Sequence, residues 1–253
     1  MRYDTHRHPA SSHQRIVRIV RSLGRGPVLD VGCAHGTLGA LLGARRGPAI
    51  PIDGIEPDPT WADEARPYYR TVWPARVEEA PLPAGAYPVI VCADVLEHLP
   101  DPVGTLGALR RAATPDARFI VSVPNVAHLS ARLLLLAGRW PKMERGIFDR
   151  THLHFWTLDT ATAMLAEAGL RVVRRETTPV PLEQVWPEGR AALLLRLAMR
   201  AQGIAIRLLP RLFAFQWILV AEPADAGATA ARSEEHTSEL QSLAYLVCRL
   251  LLE

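Results

Sequence analysis

Short runs rich in valine and isoleucine alternate along the chain with longer segments whose apolar residues recur every three to four positions. The short runs are almost continuously apolar, which is typical of strands covered on both faces. Six of them predict strands, and a weaker strand is predicted over residues 72–77; the six are PVLDV, IDGIE, YPVIVCA, ARFIVSVP, LRVVRRET and FQWILVA. This alternation predicts an α/β fold, an open three-layer, doubly wound sheet of mostly parallel strands.

Helical segments separate these strands, and one helical segment precedes them all. In SHQRIVRIVRSLGRG an apolar face begins after Ser12 and ends at Gly24, a residue that commonly stops a helix. Further helices are predicted over TLGALLGARR, PTWADEARPYY, DPVGTLGALRRAA, residues 158–168 and an apolar stretch within residues 191–209. We therefore predict a helical extension over residues 1–24 and one domain over residues 25–222.

Three segments depart from the simple alternation. Residues 125–156 follow the fifth predicted strand, where segments above the strand ends often form lids over a ligand site, the alternative being a helix that covers the core. Residues 189–211 form an apolar helical insertion. Residues 223–231 are rich in small residues and predict a flexible end.

The last 22 residues, RSEEHTSELQSLAYLVCRLLLE (232–253), differ in character from the rest. They resemble the translation of a sequencing-library adapter, in which two constant blocks flank a short variable index. We interpret residues 232–253 as adapter-derived, and a genuine amphipathic helix is the alternative.

Composition restricts the class of protein. The chain has 253 residues, a formal net charge of +3 and 22% charged residues, an ordinary balance for a globular protein that does not suggest nucleic-acid binding. Its three cysteines (Cys33, Cys92 and Cys248) are widely spaced, so neither a disulfide framework nor a metal site is expected. The first residues lack the apolar core of a signal peptide, and a cytoplasmic protein is expected.

The stretch VLDVGCAHGTLG carries the first candidate chemistry. Asp30 ends a strand, and Gly32 and Gly36 permit a tight turn and close approach of a ligand to the backbone. Glu56, 20 residues after Gly36, ends the next strand, where a carboxylate can accept both hydroxyls of a ribose. Dinucleotide sites place a glycine where Ala34 stands, so a ligand with adenosine but no phosphate is favoured, and S-adenosylmethionine is a common one. A tight turn without a ligand is the alternative.

The sequence resembles the class I S-adenosylmethionine-dependent methyltransferases, in their small-molecule subgroup. VLDVGCAHG resembles the first motif of that family, Glu56 its ribose acid and VIVCADVLEHLPDP its fourth-strand segment, while FIVSVPN and DRTHLHFWT resemble later segments. The resemblance implies a Rossmann-like sheet of seven strands with the last strand antiparallel. It also implies S-adenosylmethionine as the cofactor and a small molecule as the methyl acceptor.

The resemblance assigns cofactor contacts residue by residue. Glu56 would hold the ribose, and Asp94 with Val95 would lie beside the sulfonium and adenosine. The residues around the aminocarboxypropyl arm would be Asp30, Gly32, Cys33 and Gly36. Two residues depart from the family pattern, namely Ala34 and Arg76; relatives often carry an adenine-binding aspartate near the latter, and Glu78 or Glu79 could replace it.

Three histidines are candidate bases for a hydroxyl acceptor: His98 in LEHLP, and His152 and His154 in FDRTHLHFWT. In an extended segment, His152 and His154 would face the same side, with Arg150 and Trp156 as candidate acceptor contacts. The acceptor oxygen would belong to a sugar, glycolipid, quinone or phenol. Structural roles for all three histidines are the alternative.

Two other classes of protein stay open at this stage. One is a catalytically silent protein that binds the cofactor and acts through a partner, and the other is a NAD-dependent oxidoreductase or epimerase on a similar sheet. An arginine stripe on the apolar helix around residues 191–209 is compatible with packing on the sheet or with peripheral membrane contact.

Overall fold

A seven-stranded sheet runs through the protein. The computed structural model describes residues 11–43, 50–182 and 192–224. The strands are β1 (Val28–Val31), β2 (Ile52–Ile55), β3 (Thr71–Trp73), β4 (Tyr87–Ala93), β5 (Ala113–Pro124), β6 (Leu170–Thr178) and β7 (Gln216–Pro223). The helices are α1 (Ser12–Leu23), α2 (Thr37–Gly43), α3 (Pro59–Ala65), α4 (Pro102–Ala112), α5 (Leu129–Leu136), α6 (Leu158–Glu167), α7 (Ala192–Leu208) and α8 (Pro210–Phe213). The interpretation of residues 232–253 lies outside the described residues.

The order of the strands is β3-β2-β1-β4-β5-β7-β6, and β7 is antiparallel to both of its neighbours. The other adjacent pairs are parallel. This confirms the predicted doubly wound sheet with an antiparallel last strand. The strand order reverses between β1 and β4, and the carboxyl ends of these two strands are where such sheets bind ligands.

The hydrophobic core has two layers, one on each face of the sheet. In β4, Ile90 and Cys92 pack with residues of α4 and α6, whereas Val89 and Val91 pack with residues of α1, α2 and α3. Side chains that alternate along a strand therefore meet helices on both sides. This explains why the strand sequences are continuously apolar.

Helix ends follow local sequence signals. The side chain of Ser11 accepts a hydrogen bond from the backbone N–H of Gln14 (3.3 Å), and Gly24 ends α1 in the left-handed conformation, as predicted. The helix predicted over PTWADEARPYY is shorter than expected: α3 ends at Ala65, and a 3₁₀ turn over Arg66–Tyr68 follows. Pro67 has no N–H and cannot continue the α-helical hydrogen bonds.

Helix α7 leaves much of its apolar surface exposed instead of burying it on the sheet. Its exposed apolar residues are Leu193, Leu194, Leu197, Ile204 and Leu208. Among the described residues, no helix is both long and apolar enough to cross a membrane.

Candidate active site

The turn between β1 and α2 is shaped by three residues with positive φ. They are Gly32 (φ +67°), Ala34 (φ +44°) and Gly36 (φ +82°). A Cβ on Gly32 would lie 2.6 Å from Cγ2 of Val95, and a Cβ on Gly36 would lie 2.9 Å from Cα of Ala65. Glycine is therefore required at both positions, while Ala34 adopts the left-handed conformation with a methyl group.

Glu56 joins this turn to the end of β2. Its side chain is 5% exposed, and its two carboxylate oxygens accept hydrogen bonds from the N–H groups of Ala34 (2.9 Å) and Asp58 (3.0 Å). A carboxylate has about four acceptor positions, so each oxygen can accept one further bond. The structure thus brings the predicted ribose acid directly to the glycine turn.

Asp30 lies below the turn in a buried position. The phenol of Tyr69 donates a hydrogen bond of 2.6 Å to Oδ2 of Asp30 and accepts one from the N–H of Gly39. Burial raises the pKa of the Asp30 carboxyl to about 7, against the opposing effect of the Tyr69 hydrogen bond. Burial therefore favours the neutral form of this carboxyl.

Cys33 faces the sheet. Its thiol is buried against β2, where a Cβ on Gly54 would lie 2.6 Å from the sulfur, and burial raises the pKa of the thiol. The N–H of Cys33 donates to the carbonyl of Ile55 (3.0 Å). The Cys33 carbonyl accepts a hydrogen bond from the N–H of Gly36 (2.8 Å), so Cys33 packs as a small apolar residue whose backbone closes the turn.

Asp94 connects β4 to two other strands. It has a φ of +57° at the end of β4, and its Oδ1 accepts hydrogen bonds from Oγ of Ser122 (2.7 Å) and Nε2 of Gln216 (3.0 Å). Oγ of Ser12 in α1 lies 3.5 Å from Oδ2. Burial raises the pKa of this carboxyl, and the hydrogen bonds from Ser122 and Gln216 oppose the shift. Asp94 is thereby held in one position at the carboxyl edge of the sheet.

Glu97 and two histidines form a cluster immediately after Asp94. The Glu97 side chain is 1% exposed, and neither of its carboxylate oxygens has a hydrogen-bond partner among the described residues. Burial raises its pKa well above the usual range. The rings of His98 and His152 lie edge to face at 4.8 Å, and burial followed by the charge of His98 lowers the pKa of His152. The structure therefore brings together two of the three predicted bases.

The third predicted base, His154, has different neighbours. Its Nε2 lies 3.0 Å from the carbonyl of Leu99, and its ring stacks on Trp156 at 5.4 Å. Trp156 is itself buried in the core, whereas Arg150 is exposed and forms an ion pair with Glu144 (3.0 Å). His154 and Trp156 thus lie against each other, while Arg150 is paired elsewhere, so the three residues do not form the single predicted acceptor pocket.

The predicted adenine region lies beside α4. Oε1 of Glu78 accepts a hydrogen bond from Oγ1 of Thr105 (2.9 Å), and Arg76 is exposed. Glu79 is also exposed. Of the two acids that could stand in for the family aspartate, Glu78 is the one with a side chain fixed by α4.

Hydrogen bonds of Asn125 anchor the first residue of the segment over residues 125–156. Asn125 is buried, and its Nδ2 donates to the carbonyls of Arg211 (3.2 Å) and Ala214 (2.8 Å). An apolar cleft of about 460 Å³ lies between α5 and α7, lined in part by His128, Leu133, Leu182, Gln202 and Phe213. The cleft gives this segment an apolar surface close to the sheet edge.

Sequence reasoning missed several residues that build the site. Tyr69, Ser122 and Gln216 hold the two aspartates, and Glu97 is the buried acid of the histidine cluster. Ser122 could have been recognised from the sequence, because it is a polar residue inside the apolar run FIVSVP. Gln216 could not, because it lies 122 positions from its partner Asp94.

Comparison with known proteins decides the family. Residues 2–175 match the model of the methyltransferase domain, which is more than half of the chain. The chain belongs to this methyltransferase family. This family is one of S-adenosylmethionine-dependent methyltransferases, so the cofactor of the protein is S-adenosylmethionine.

Solved structures share the fold of this methyltransferase. An S-adenosylmethionine-dependent methyltransferase from Archaeoglobus fulgidus is 17% identical, with a TM-score of 0.55 over 83% of this chain and 94% of that one. The 1,6-didemethyltoxoflavin-N1-methyltransferase of Burkholderia thailandensis, solved with S-adenosylhomocysteine, is 18% identical, with a TM-score of 0.55 over 85% and 80%. At these identities the likeness shows the fold.

A curated relative of the methyltransferase is an enzyme of oxygen methylation. The ubiquinone biosynthesis O-methyltransferase of Hydrogenovibrio crunogenus is 26% identical over 162 residues, which cover 61% of this chain and 66% of that protein. The chain thus spans slightly less than two thirds of the length of this relative.

Proposed function

We propose that this methyltransferase transfers the methyl group of S-adenosylmethionine to a hydroxyl oxygen of a small molecule. The main support is the position of His98 and His152, which lie together beside Asp94 at the edge where the strand order reverses. A hydroxyl acceptor needs a polar group that positions it and takes its proton, and imidazoles serve this purpose at neutral pH. Similarity to a ubiquinone biosynthesis O-methyltransferase supports quinones and phenols as acceptors ahead of sugars and glycolipids.

The residues of the glycine turn fit the cofactor. Gly32 and Gly36 let the turn pack closely against Val95 and Ala65, and Glu56 keeps acceptor capacity for two ribose hydroxyls. Asp30 and the backbone of Cys33 would face the aminocarboxypropyl arm, and Asp94 with Val95 would face the sulfonium and adenosine. The methyl group of Ala34 is the departure that this assignment has to accommodate.

The chemistry requires mainly orientation. The cofactor supplies a methyl group on a positively charged sulfur; the acceptor oxygen bonds to that carbon as the carbon–sulfur bond breaks, and S-adenosylhomocysteine leaves. Positioning alone can lower such a barrier by about 7–11 kcal/mol. Burial lowers the pKa of His152 and so favours its neutral form, whose ring nitrogen can accept the proton of the acceptor. The hydrogen bonds from Ser122 and Gln216 fix Asp94 at the carboxyl edge of the sheet, below the proposed site.

Calorimetric titration of S-adenosylmethionine into the protein tests the cofactor assignment, with NAD as the competing ligand. Binding of S-adenosylmethionine should be lost in Glu56→Ala and kept in Glu167→Ala, which removes an exposed acid on α6. Binding of NAD instead would support the oxidoreductase alternative and overturn the proposal.

Methyl transfer itself is tested with labelled cofactor and a set of catechols, hydroquinones and sugars. Label in an oxygen-linked methyl group of a catechol or hydroquinone is expected. Tight cofactor binding without transfer to any acceptor class would instead support a silent binding protein.

A further inference from the structure

We propose that Glu97, His98 and His152 bind a divalent ion of a first-row transition metal. One potential ligand atom from each of these side chains lies within 4.8 Å of the other two. The three residues come from two separated parts of the chain, the 3₁₀ turn Leu96–His98 after β4 and the segment before α6. The sheet topology, rather than local sequence, brings them together.

The buried acid is the observation that points to a cation. Glu97 is 1% exposed, and both of its carboxylate oxygens lack hydrogen-bond partners among the described residues. An unpaired buried carboxylate is strongly destabilising, and a neutral carboxylic acid would still need an acceptor for its O–H. A metal ion at the imidazoles would satisfy the carboxylate, so the orphaned group has an explanation.

The orientation of His98 also suits a ligand. The hydroxyl of Thr151 donates to Oδ1 of Asp149 (2.7 Å), so toward Nδ1 of His98 (3.1 Å) it can only accept. Nδ1 of His98 therefore carries the hydrogen, and Nε2 keeps its lone pair when the ring is neutral. A hydrogen bond from the second ring nitrogen is the usual support of a histidine that binds a metal.

His152 is oriented in the same manner. Its Nδ1 lies 3.3 Å from the carbonyl of Ile147, and a carbonyl oxygen only accepts. The hydrogen is again on Nδ1, which leaves Nε2 as the free donor atom of the neutral ring. Both histidines thus keep the same nitrogen, Nε2, available as a ligand atom.

The set of donors selects the kind of ion. Two imidazole nitrogens and one carboxylate suit Mn²⁺, Fe²⁺, Co²⁺ or Zn²⁺, whereas Mg²⁺ and Ca²⁺ prefer oxygen ligands throughout. Three protein ligands leave coordination positions open. On the basis of the proposed function, an acceptor oxygen would take one of these positions, and His98 and His152 would then act as metal ligands in place of a base. This arrangement favours acceptors with neighbouring oxygens such as catechols.

Metal binding can be measured without methyl transfer. The protein is freed of metal with a chelator and titrated with Co²⁺, followed by its visible absorption, and with Mn²⁺, followed by electron paramagnetic resonance. We expect one ion per chain and affinity for Mg²⁺ at least about tenfold weaker. Glu97→Gln and His152→Ala should each weaken Co²⁺ binding at least about tenfold, as expected for loss of a ligand.

Matched variants separate a lost ligand from a damaged fold. Glu167→Gln changes an exposed acid on α6, and His128→Asn keeps a residue able to cap α5; both should bind Co²⁺ like the wild type. Circular dichroism shows whether each variant is folded. Co²⁺ binding that is equal in the wild type, Glu97→Gln and His152→Ala would overturn the proposal, as would no binding by the folded wild type.

The same titration distinguishes this proposal from the function on which the acceptor role rests. Binding of one Co²⁺ without methyl transfer to any acceptor would support the metal site and contradict the proposed function. Methyl transfer that is unchanged after chelation, with no Co²⁺ binding, would contradict the metal site alone.

Discussion

Val95 occupies the space that a side chain on Gly32 would need. A Cβ at position 32 would lie 2.6 Å from Cγ2 and 3.4 Å from Cγ1 of Val95. The turn after β1 and the turn after β4 therefore touch directly at the point where the strand order reverses. Any change at one turn has to be accommodated by the other.

Gly32→Ala should damage both stability and cofactor binding. The new methyl group would displace Val95, and a residue with a side chain would have to adopt a φ of +67°, so we expect a loss of about 1–3 kcal/mol in the free energy of unfolding. Affinity for S-adenosylmethionine should fall at least about tenfold. Gly107→Ala in α4 is the control, because its new methyl group would point into open space. Equal affinity in Gly32→Ala would contradict the close fit of the two turns.

The Asp30 carboxyl should make stability depend on pH. Its pKa is raised to about 7 in the folded protein, so the folded state holds this proton more tightly than the unfolded state. The stabilising contribution is complete below the ordinary pKa of 3.8 and is lost as pH rises toward 7. Asp30→Asn should flatten this decline in urea unfolding between pH 4 and pH 7.

Asp94 and Glu97 also have raised pKa values, so they too make stability fall as pH rises. A control variant is therefore needed to isolate the contribution of Asp30. Gly107→Ala, which changes no titratable group and points a methyl group into open space, should leave the slope of stability against pH unchanged. A slope that is the same in Asp30→Asn and the wild type would show that Asp30 does not titrate in this range.

His152→Ala should reduce turnover and spare cofactor binding. Loss of His152 is expected to lower kcat by about 10²–10⁴-fold, while KM for S-adenosylmethionine changes little, because the proposed role of His152 is toward the acceptor. In the wild type, the pH profile of kcat should fall only below pH 6.5, because burial lowers the pKa of His152 and protonation removes its lone pair. A fall of kcat that begins above pH 6.5, or unchanged turnover in His152→Ala with His128→Asn as control, would exclude this role.

Helix α7 should bind anionic lipid surfaces. It exposes Leu193, Leu197 and Leu208 together with Arg200 and Arg207, and its sequence contains no acidic residue. Apolar side chains flanked by arginines are typical of helices that lie in the interface of a membrane. Co-sedimentation with vesicles containing phosphatidylglycerol should exceed that with neutral vesicles.

Charge reversal tests the same surface. Arg200→Glu with Arg207→Glu should reduce the bound fraction severalfold, whereas Arg111→Glu at the end of α4 should not. Equal binding of all three proteins would exclude α7 as the contact.

The sequence predicts the strands and the glycine turn because these features are local. The run VLDVG and the spacing to Glu56 follow from a strand, a tight turn and the next strand. The environment of Glu97 is not local: its burial depends on the segment around His152, more than 50 positions away, whose backbone donates to the carbonyl of Glu97. The sequence around an acid that lies between apolar residues does not indicate whether the carboxylate is solvated or buried. The missing hydrogen-bond partners of Glu97 can therefore be recognised only in the structure.

The insertion of β7 between β5 and β6 has a consequence for biogenesis. During synthesis, β6 emerges from the ribosome before the strand that joins it to the sheet exists, and Asp94 still lacks Gln216. The nascent chain therefore exposes two unpaired strand edges until the last strand arrives. If the cofactor binds only after β7 has paired, cofactor binding would stabilise only those chains in which the sheet is complete.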